Sequence, residues 1–164
     1  MVKDRTGKSP NLSDLMYVDR SLAVACTRGR EAVVSRFRDM LHRENLSEQQ
    51  WRVLRILTDQ GELTSVEISS LACIHKVSIS RIVSSLESRG LVARRASETD
   101  ARASYVDLTP YGRMFMKPLV EEATVIHLQI ADDFGIERYE QLLLLLRQLA
   151  EINKSQNAMT SDDS

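Results

Sequence analysis

The sequence predicts a mainly α-helical protein with one small β wing. Most of the chain between residues 15 and 154 shows apolar residues at helical spacing, or helix-capping residues. One stretch differs, because residues 91–96 and 105–108 are β-prone and are separated by eight mostly polar or small residues, as in a hairpin. This hairpin follows a helix and carries arginine at its tip. The pattern indicates a winged helix-turn-helix with further helices on either side.

The charge distribution favours a sequence-specific DNA-binding protein. The 164 residues suggest about one domain, and the formal net charge is −1. Residues 75–102 nevertheless contain six Lys or Arg side chains against three acidic ones. A nearly neutral chain with a focused basic patch suits a regulator better than a protein that packages nucleic acid without specificity.

The N-terminal part is predicted to contain a polar arm and one long helix. Residues 1–14 have the composition of a flexible arm and lack the apolar core of a signal peptide, and no segment approaches the ~20 apolar residues of a membrane span. A cytoplasmic protein is the expectation. Residues 15–43 form one amphipathic stretch without Pro, in which Gly29 is the only weak point.

Capping signals define the next three helices. Ser47 and Gln50 form a capping box that opens a helix to about Thr58, and Gly61 follows its end. A second box, from Thr64 to Glu67, opens a short helix to about residue 73. Residues 74–77 are predicted to form a turn into a helix over 78–89, which Gly90 terminates.

The helix over 78–89 has two different faces. One face is apolar, and the other carries small hydroxyls and one arginine: Ser80, Arg81, Ser84, Ser85 and Ser88. Such a face can approach a duplex closely and bond to phosphates and base edges. The alternative is that the serines merely occupy a solvated face.

The C-terminal part is predicted to be helical again. Thr109 and Pro110 suit the N-cap and first position of a helix to about Phe134, in which Pro118 predicts a kink or break near 114–118. Residues 132–135 interrupt the pattern before a last helix over roughly 137–154, and residues 155–164 have the composition of a frayed acidic tail. Leucines occupy all of 142–146, which implies burial between several helices or against a partner.

Three motifs carry a resemblance to a known family. They are Leu46-Ser47-x-x-Gln50-Trp51-x-Val53-Leu54, Ser80-Arg81-Ile82-Val83-x-x-Leu86-Glu87-x-Arg89-Gly90-Leu91-Val92, and Asp100-x-Arg102-x-x-x-Val106-x-Leu108-Thr109-x-x-Gly112. With them the chain resembles the MarR family of winged helix-turn-helix transcription regulators over roughly residues 15–154. It is most similar to the branch that represses catabolic operons for homoprotocatechuate and related aromatic acids. Many relatives carry a second arginine after the position of Arg102, where this chain has Ala103.

The resemblance implies a homodimer. Residues 15–45 and 110–154 would be dimerisation helices around a DNA-binding domain at 46–109, and residues 155–164 a disordered tail. Suitable apolar residues on or beside these helices are Leu22, Val24, Ile136, Leu149 and the leucines at 142–146. A two-fold dimer would place two recognition helices about 34 Å apart on a near-palindromic operator. Repression is the commoner mode in the family.

Roles in DNA binding follow from the resemblance and from residue chemistry. Arg102 is expected in the minor groove, with Asp100 holding its guanidinium, although a plain surface salt bridge is the alternative. Major-groove contacts are expected from Ser80, Arg81 and Ser84, and phosphate contacts from Lys76, Arg94 and Arg95. The full predicted DNA-binding set is Lys76, Ser78, Ser80, Arg81, Ser84, Ser85, Arg94, Arg95, Asp100 and Arg102.

Members of the family are often released from DNA by small aromatic acids bound between the dimer helices and the winged domain. A carboxylate clamp and a stacking surface could come from Arg20, Arg28, His42, Trp51 and Arg52. These residues also have structural interpretations: Arg20 and Arg28 as helix-surface charges, Trp51 as core, and His42 as a favourable charge near a helix C-terminus.

Other functions receive less support. Peroxide-sensing relatives use a cysteine bonded to two tyrosines, but Cys26 has no such pair, so Cys26 and Cys73 are expected to be buried, inert thiols. The three histidines are far apart and match no catalytic or metal-binding spacing, so neither an enzyme nor a cofactor is expected. A redox-sensing regulator and a ligand-independent architectural DNA-binding protein remain the alternatives.

Overall fold

A computed structural model describes residues 21–96 and 104–160, with side chains up to residue 152. The chain divides into two compact units, of which the first ends at Val120 and the second begins at Glu121. The described elements are α1 (Leu22–Ser35), α2 (Arg38–Arg43), α3 (Glu48–Gln60), β1 (Leu63–Thr64), α4 (Ser65–Ala72), α5 (Lys76–Ser88), β2 (Val92–Ala96), β3 (Ser104–Leu108), α6 (Pro110–Phe134) and α7 (Ile136–Thr160).

The predicted long first helix is interrupted, so the prediction of one continuous helix is wrong. α1 ends at Ser35, where the amides of Arg36 and Phe37 bond to the carbonyls three residues back and tighten the last turn. The break lets Phe37, Met40 and Leu41 turn into the core, whereas α1 itself has no buried residue. Burial of these three side chains therefore decides where the helix stops.

Both predicted capping boxes are confirmed. Ser47 accepts a bond from the amide of Gln50 at 3.2 Å, and the Gln50 side chain accepts one from the amide of Ser47 at 2.8 Å. Thr64 and Glu67 make the equivalent pair at the start of α4. α3 ends at Gly61 with φ +75°, a conformation that glycine adopts at little cost.

The wing hairpin is confirmed, and a third strand joins it. β2 and β3 pair antiparallel with Val92 opposite Leu108 and Ala96 opposite Ser104. β1 pairs with the other edge of β3, which gives the strand order β1-β3-β2. β1 was not predicted, because two residues show no periodicity and Thr64 already carried a capping signal.

The core of the first unit lies between α3, α4, α5 and the sheet. The predicted apolar face of α5 is buried, with Ile79, Val83 and Leu86 fully inaccessible. α5 begins at Lys76 and not at residue 78, because His75 acts as its N-cap and accepts a bond from the amide of Val77. Lys76 and Val77 thus belong to the first helical turn and not to the preceding turn.

The start of α6 is anchored to the first residues after α5. The Thr109 hydroxyl donates to the carbonyl of Gly90 at 2.6 Å and accepts from the amide of Gly112 at 2.9 Å. α6 is continuous through Pro118, so of the predicted kink or break the break does not occur. Proline removes one backbone hydrogen bond, and the buried Met116 and Leu119 on either side keep this part of the helix packed.

The second unit contains the end of α6 and all of α7. α7 is longer than predicted and includes residues 155–160 of the expected tail, while residues 161–164 lie outside the described part. Among the side chains described in this unit, only Ala123 and Ala131 are buried. The leucines at 142–146 are 38% to 55% exposed, so the other described residues of this unit do not bury them. Among the described helices, none combines the length and the apolarity that crossing a bilayer would require.

Candidate nucleic-acid interface

The outer face of α5 presents most of the predicted DNA-binding residues. Ser78 is half-buried, while Lys76, Ser80, Arg81, Ser84 and Ser85 are exposed. They stand opposite the buried face because the helix repeats every 3.6 residues. The structure thus brings a basic and hydroxyl-rich helix face together in one place.

Val77 belongs to the same outer face and was missed by the sequence analysis. Its side chain is 58% exposed, although it is apolar and lies in the first turn of α5. Val77 lies three, four and seven residues before Ser80, Arg81 and Ser84, which places the four side chains in one helical row. Val77 was not predicted as part of this face because residues 74–77 were predicted to form a turn.

Ser85 is tied to the preceding helix. Its hydroxyl oxygen accepts a bond from the side-chain amide of Gln50 at 3.0 Å. Gln50 also closes the capping box of α3, so one side chain fixes both the start of α3 and a serine of α5. Ser85 lies at the edge of the outer face and serves helix packing there.

The side chain of Arg94, on β2, packs against α5. Its Nη2 lies 2.8 Å from Oγ of Ser84 and 3.3 Å from the carbonyl oxygen of Ser80. Its Nε lies 3.4 Å from Oε2 of Glu87. The wing strand and the helix are thereby joined through one guanidinium.

Arg95, the next residue, points to the other face of the hairpin. It forms a two-pronged pair with Glu62, with nitrogen–oxygen distances of 3.1 and 2.8 Å. Its guanidinium also lies 5.3 Å from the ring centroid of Tyr105. Neighbouring strand residues alternate between faces, which explains why Arg94 and Arg95 have separate partners.

Arg89 contributes to the basic character of this segment but has a structural role. Its two terminal nitrogens donate to the carbonyls of Asn45 and Glu44, each at 2.9 Å. Its guanidinium lies 5.8 Å from the ring centroid of Phe115. Arg89 therefore links the end of α5 to the loop before α3 and to α6.

The two wing-tip residues of the predicted set, Asp100 and Arg102, lie outside the described residues. The hairpin that carries them is described on both sides of the tip, up to Ala96 and from Ser104. Their expected pairing and minor-groove role stay predictions.

The predicted effector residues are placed in different environments. Arg20 lies outside the described residues, Arg28 is exposed on α1, His42 is exposed in the last turn of α2, and Trp51 is half-buried on α3. Arg52 donates to the carbonyl of Ala72 at 2.7 Å and pairs with Glu48. These bonds connect α3 to the end of α4.

The prediction that both cysteines are buried is wrong. Cys26 and Cys73 are exposed. Cys26 lies on α1, which buries none of its residues within one chain. Cys73 is the C-cap of α4 and has the left-handed conformation, with φ +51°.

Comparisons with known proteins agree with this geometry. The model of the MarR family matches residues 46–104, from just before α3 to the first residue of β3. The HTH-type transcriptional regulator FarR of Neisseria gonorrhoeae is 33% identical over 141 residues, covering 86% of this chain and 94% of the relative. The homoprotocatechuate degradative operon repressor of Escherichia coli is 33% identical over 135 residues, covering 82% of this chain and 91% of the relative.

A solved structure gives the same result. NadR, in its crystal structure in complex with 4-hydroxyphenylacetate, is 30% identical in sequence to this chain. The two structures align with a TM-score of 0.75 over 82% of this chain and 98% of the NadR chain. FarR is named as a transcriptional regulator and the Escherichia coli relative as an operon repressor, and the resemblance predicted from the sequence motifs is confirmed. The chain belongs to the MarR family of winged-helix, DNA-binding transcriptional regulators.

Proposed function

We propose that this protein is a homodimeric repressor of an operon for the catabolism of an aromatic compound. A small aromatic acid or its thioester releases it from its operator. The observation that carries the proposal is the exposed face of α5 beside a wing strand, in a chain that is 33% identical to a homoprotocatechuate degradative operon repressor.

The exposed face of α5 supports the DNA-binding step. Lys76 and Arg81 are exposed cations on this face, and Ser80 and Ser84 are exposed hydroxyls between them. Cations contribute sequence-independent affinity through phosphates, while short hydroxyls reach base edges. The arginine at residue 102 would add a minor-groove contact from the wing tip.

Two helices support the proposed dimer. α1 buries no residue within one chain, and Leu22 is 59% exposed there. On α7, the leucines at 142–146, Leu149 and Ile152 are all at least 38% exposed. Contiguous apolar surface of this kind marks an interaction site, and a second copy of the same chain would also supply the second recognition helix of a palindromic operator.

The effector part of the proposal rests on two relatives and on the positions of a few residues. One relative represses a homoprotocatechuate operon, and NadR was crystallised with 4-hydroxyphenylacetate. Arg28 and His42 are exposed and could clamp a carboxylate, while half-buried Trp51 could stack on a ring. Arg52 is a weaker candidate because Glu48 and the carbonyl of Ala72 already hold it.

The test is fluorescence anisotropy of the purified protein on labelled DNA from upstream of its own gene. Phenolic acids, hydroxycinnamic acids and their thioesters are then titrated into the complex. Specific binding that one compound reverses supports the proposal. Specific binding that resists the whole panel contradicts the effector part, and binding equal to that of shuffled DNA contradicts operator recognition at that site.

Trp51 offers an independent measurement of effector binding, because it is the only tryptophan of the chain. Its fluorescence, excited at its red edge, should change in a saturable way with the same compound that releases DNA. The variant Arg28→Ala should weaken this response about tenfold or more if the residue clamps the carboxylate. Arg38→Ala, an exposed arginine paired with Glu31 at 2.9 Å, serves as the matched control.

A further inference from the structure

Arg94 makes three contacts on α5 that suggest a role other than phosphate binding. Its terminal nitrogen holds Oγ of Ser84 at 2.8 Å and the carbonyl of Ser80 at 3.3 Å, while Glu87 lies 3.4 Å from its Nε. We propose that Arg94 is a positioning residue that turns the Ser84 hydroxyl into a fixed donor toward a base edge in the major groove. The inference rests on α5 being the recognition helix.

The hydrogen-bonding capacity of the Ser84 hydroxyl explains how Arg94 would affect base specificity. A free serine can donate one hydrogen bond or accept others, so it distinguishes bases poorly. Arg94 can only donate, and it occupies a lone pair of the Ser84 oxygen. The hydroxyl proton remains for the DNA, and the neighbouring positive charge strengthens it as a donor. Ser84 then selects bases that present an acceptor: guanine O6 or N7, adenine N7, or thymine O4.

The surroundings of Arg94 disfavour a phosphate contact. Glu87 offsets the positive charge of the guanidinium. The hydrogen bonds of Arg94 to Ser80 and Ser84, on two successive turns of α5, fix the orientation of the guanidinium. A phosphate would have to displace these partners. Arg94 should therefore contribute little to the counterions released when the operator binds.

The experiment compares Arg94→Met, Arg94→Lys and Ser84→Ala with the wild type on the operator and on all its single base-pair substitutions. Circular dichroism melting first confirms that each variant is folded. We expect Arg94→Met and Ser84→Ala to lose preference, by about fivefold, at the same base pair, whereas Arg94→Lys, which keeps a donor and the positive charge, should lose less. The double variant Ser84→Ala/Arg94→Met should be no worse at that pair than Ser84→Ala alone.

Salt dependence separates positioning from phosphate binding. The slope of log K against log salt should stay unchanged in Arg94→Met, whereas loss of a phosphate contact would reduce its magnitude by about 0.9. A reduced slope, or an unchanged base preference in the Arg94 variants, overturns the inference. Neither result depends on the effector. If the proposed release by an aromatic acid is wrong, the anisotropy titration with the compound panel shows this separately.

Val77 provides a second and independent observation. An apolar side chain that is 58% exposed in the first turn of α5, in one row with Ser80, Arg81 and Ser84, lacks the burial that stabilises the other apolar residues of this helix. Residues at the start of a recognition helix contact base edges, and thymine is the base that presents a methyl group in the major groove. The geometry points to Val77 as the residue that contacts a thymine methyl.

Replacing each thymine of the operator by deoxyuridine removes the methyl group alone. At one position in each half-site, this replacement should weaken binding of the wild-type protein about fourfold, which corresponds to one buried methyl group. The same replacement should not change the binding of Val77→Ala. Val66→Ala is the matched control, because Val66 is 55% exposed on α4 and outside this row. A uridine effect that persists in Val77→Ala, or the absence of any such effect in the wild type, overturns the assignment.

Discussion

At the scale of single residues, the basic side chains of this protein differ in how they are held. Lys76 and Arg81 are exposed on the outer face of α5, while Arg95 is bound by Glu62 and by the ring of Tyr105. Counting positive charges along the chain treats these residues as equal. Their partners, which come from distant segments, decide which of them can reach a phosphate.

Glu62→Gln should increase DNA affinity at low salt. The substitution removes a negative charge beside the wing and weakens the hold on Arg95, so that Arg95 can approach a phosphate. The magnitude of the salt slope should rise by up to about 0.9, measured by anisotropy between 50 and 200 mM salt. Glu31→Gln makes the same charge change at the exposed pair with Arg38 and should leave the slope unaltered. An unchanged slope in Glu62→Gln would mean that Arg95 does not bind phosphate.

At the scale of elements, two capping boxes of the same geometry differ in charge. The Ser47–Gln50 box is neutral, whereas in the other box the backbone and hydroxyl of Thr64 donate to the Glu67 carboxylate and hold the pKa of Glu67 below its ordinary value. A lowered folded pKa means that this contribution to stability is complete above the pKa of the unfolded chain. It is lost as the pH falls through the folded pKa.

Glu67→Gln should therefore be less stable than the wild type near neutral pH and approach it in acid. The measurement is the midpoint of thermal unfolding by circular dichroism from pH 7 down to pH 3. Gln50→Ala should lower the midpoint by a similar amount at every pH, because the first box contains no titrating group. A pH-independent deficit in Glu67→Gln would contradict the proposed coupling.

Gly112 defines how closely α6 approaches the start of the wing. A Cβ at this position would lie 2.0 Å from the carbonyl oxygen of Leu91, so Gly112→Ala must displace backbone. We expect a loss of about 1–3 kcal/mol in the free energy of unfolding, measured by urea denaturation. Gly29→Ala in α1, where an added Cβ meets nothing within 4 Å, should instead gain about 0.5–1 kcal/mol from helix propensity. Equal effects at the two positions would show that the contact with Leu91 is unimportant.

At the scale of the whole molecule, a single chain leaves an apolar helix exposed. Leu144 and Leu145 of α7 are 55% and 53% exposed. If a second copy covers them, the double variant Leu144→Glu/Leu145→Glu places charges in an apolar contact and should produce monomers. Binding to a palindromic operator should fall by at least about a hundredfold, because the two half-sites are no longer bound together.

Sedimentation at micromolar concentration measures the oligomeric state of this variant directly. Val66→Glu introduces a charge at an equally exposed valine of α4 and should leave the dimer intact. A double leucine variant that remains dimeric would exclude α7 as the interface. A wild-type protein that sediments as a monomer would exclude the dimer itself.

Short-range patterns in the sequence were sufficient for most helices, both capping boxes, the hairpin and the buried face of α5. These features depend on residues that are three or four positions apart, or on the two-residue alternation of a strand, and such relations can be recognised in the chain itself. The serines and Arg81 of the outer face followed from the same periodicity. The family was recognisable because its motifs combine these local signals in a fixed order.

Contacts between distant segments decided the rest. The end of α1 depends on burying Phe37, β1 exists because two residues pair with β3, and Arg94 and Arg95 are held by residues 10 and 33 positions away. Such choices compare the free energies of alternative long-range partners, which local periodicity does not encode. Local sequence patterns therefore determined most of the helices, the hairpin and which face of α5 is exposed. Only the tertiary structure decided which of the exposed charges are committed to the protein itself.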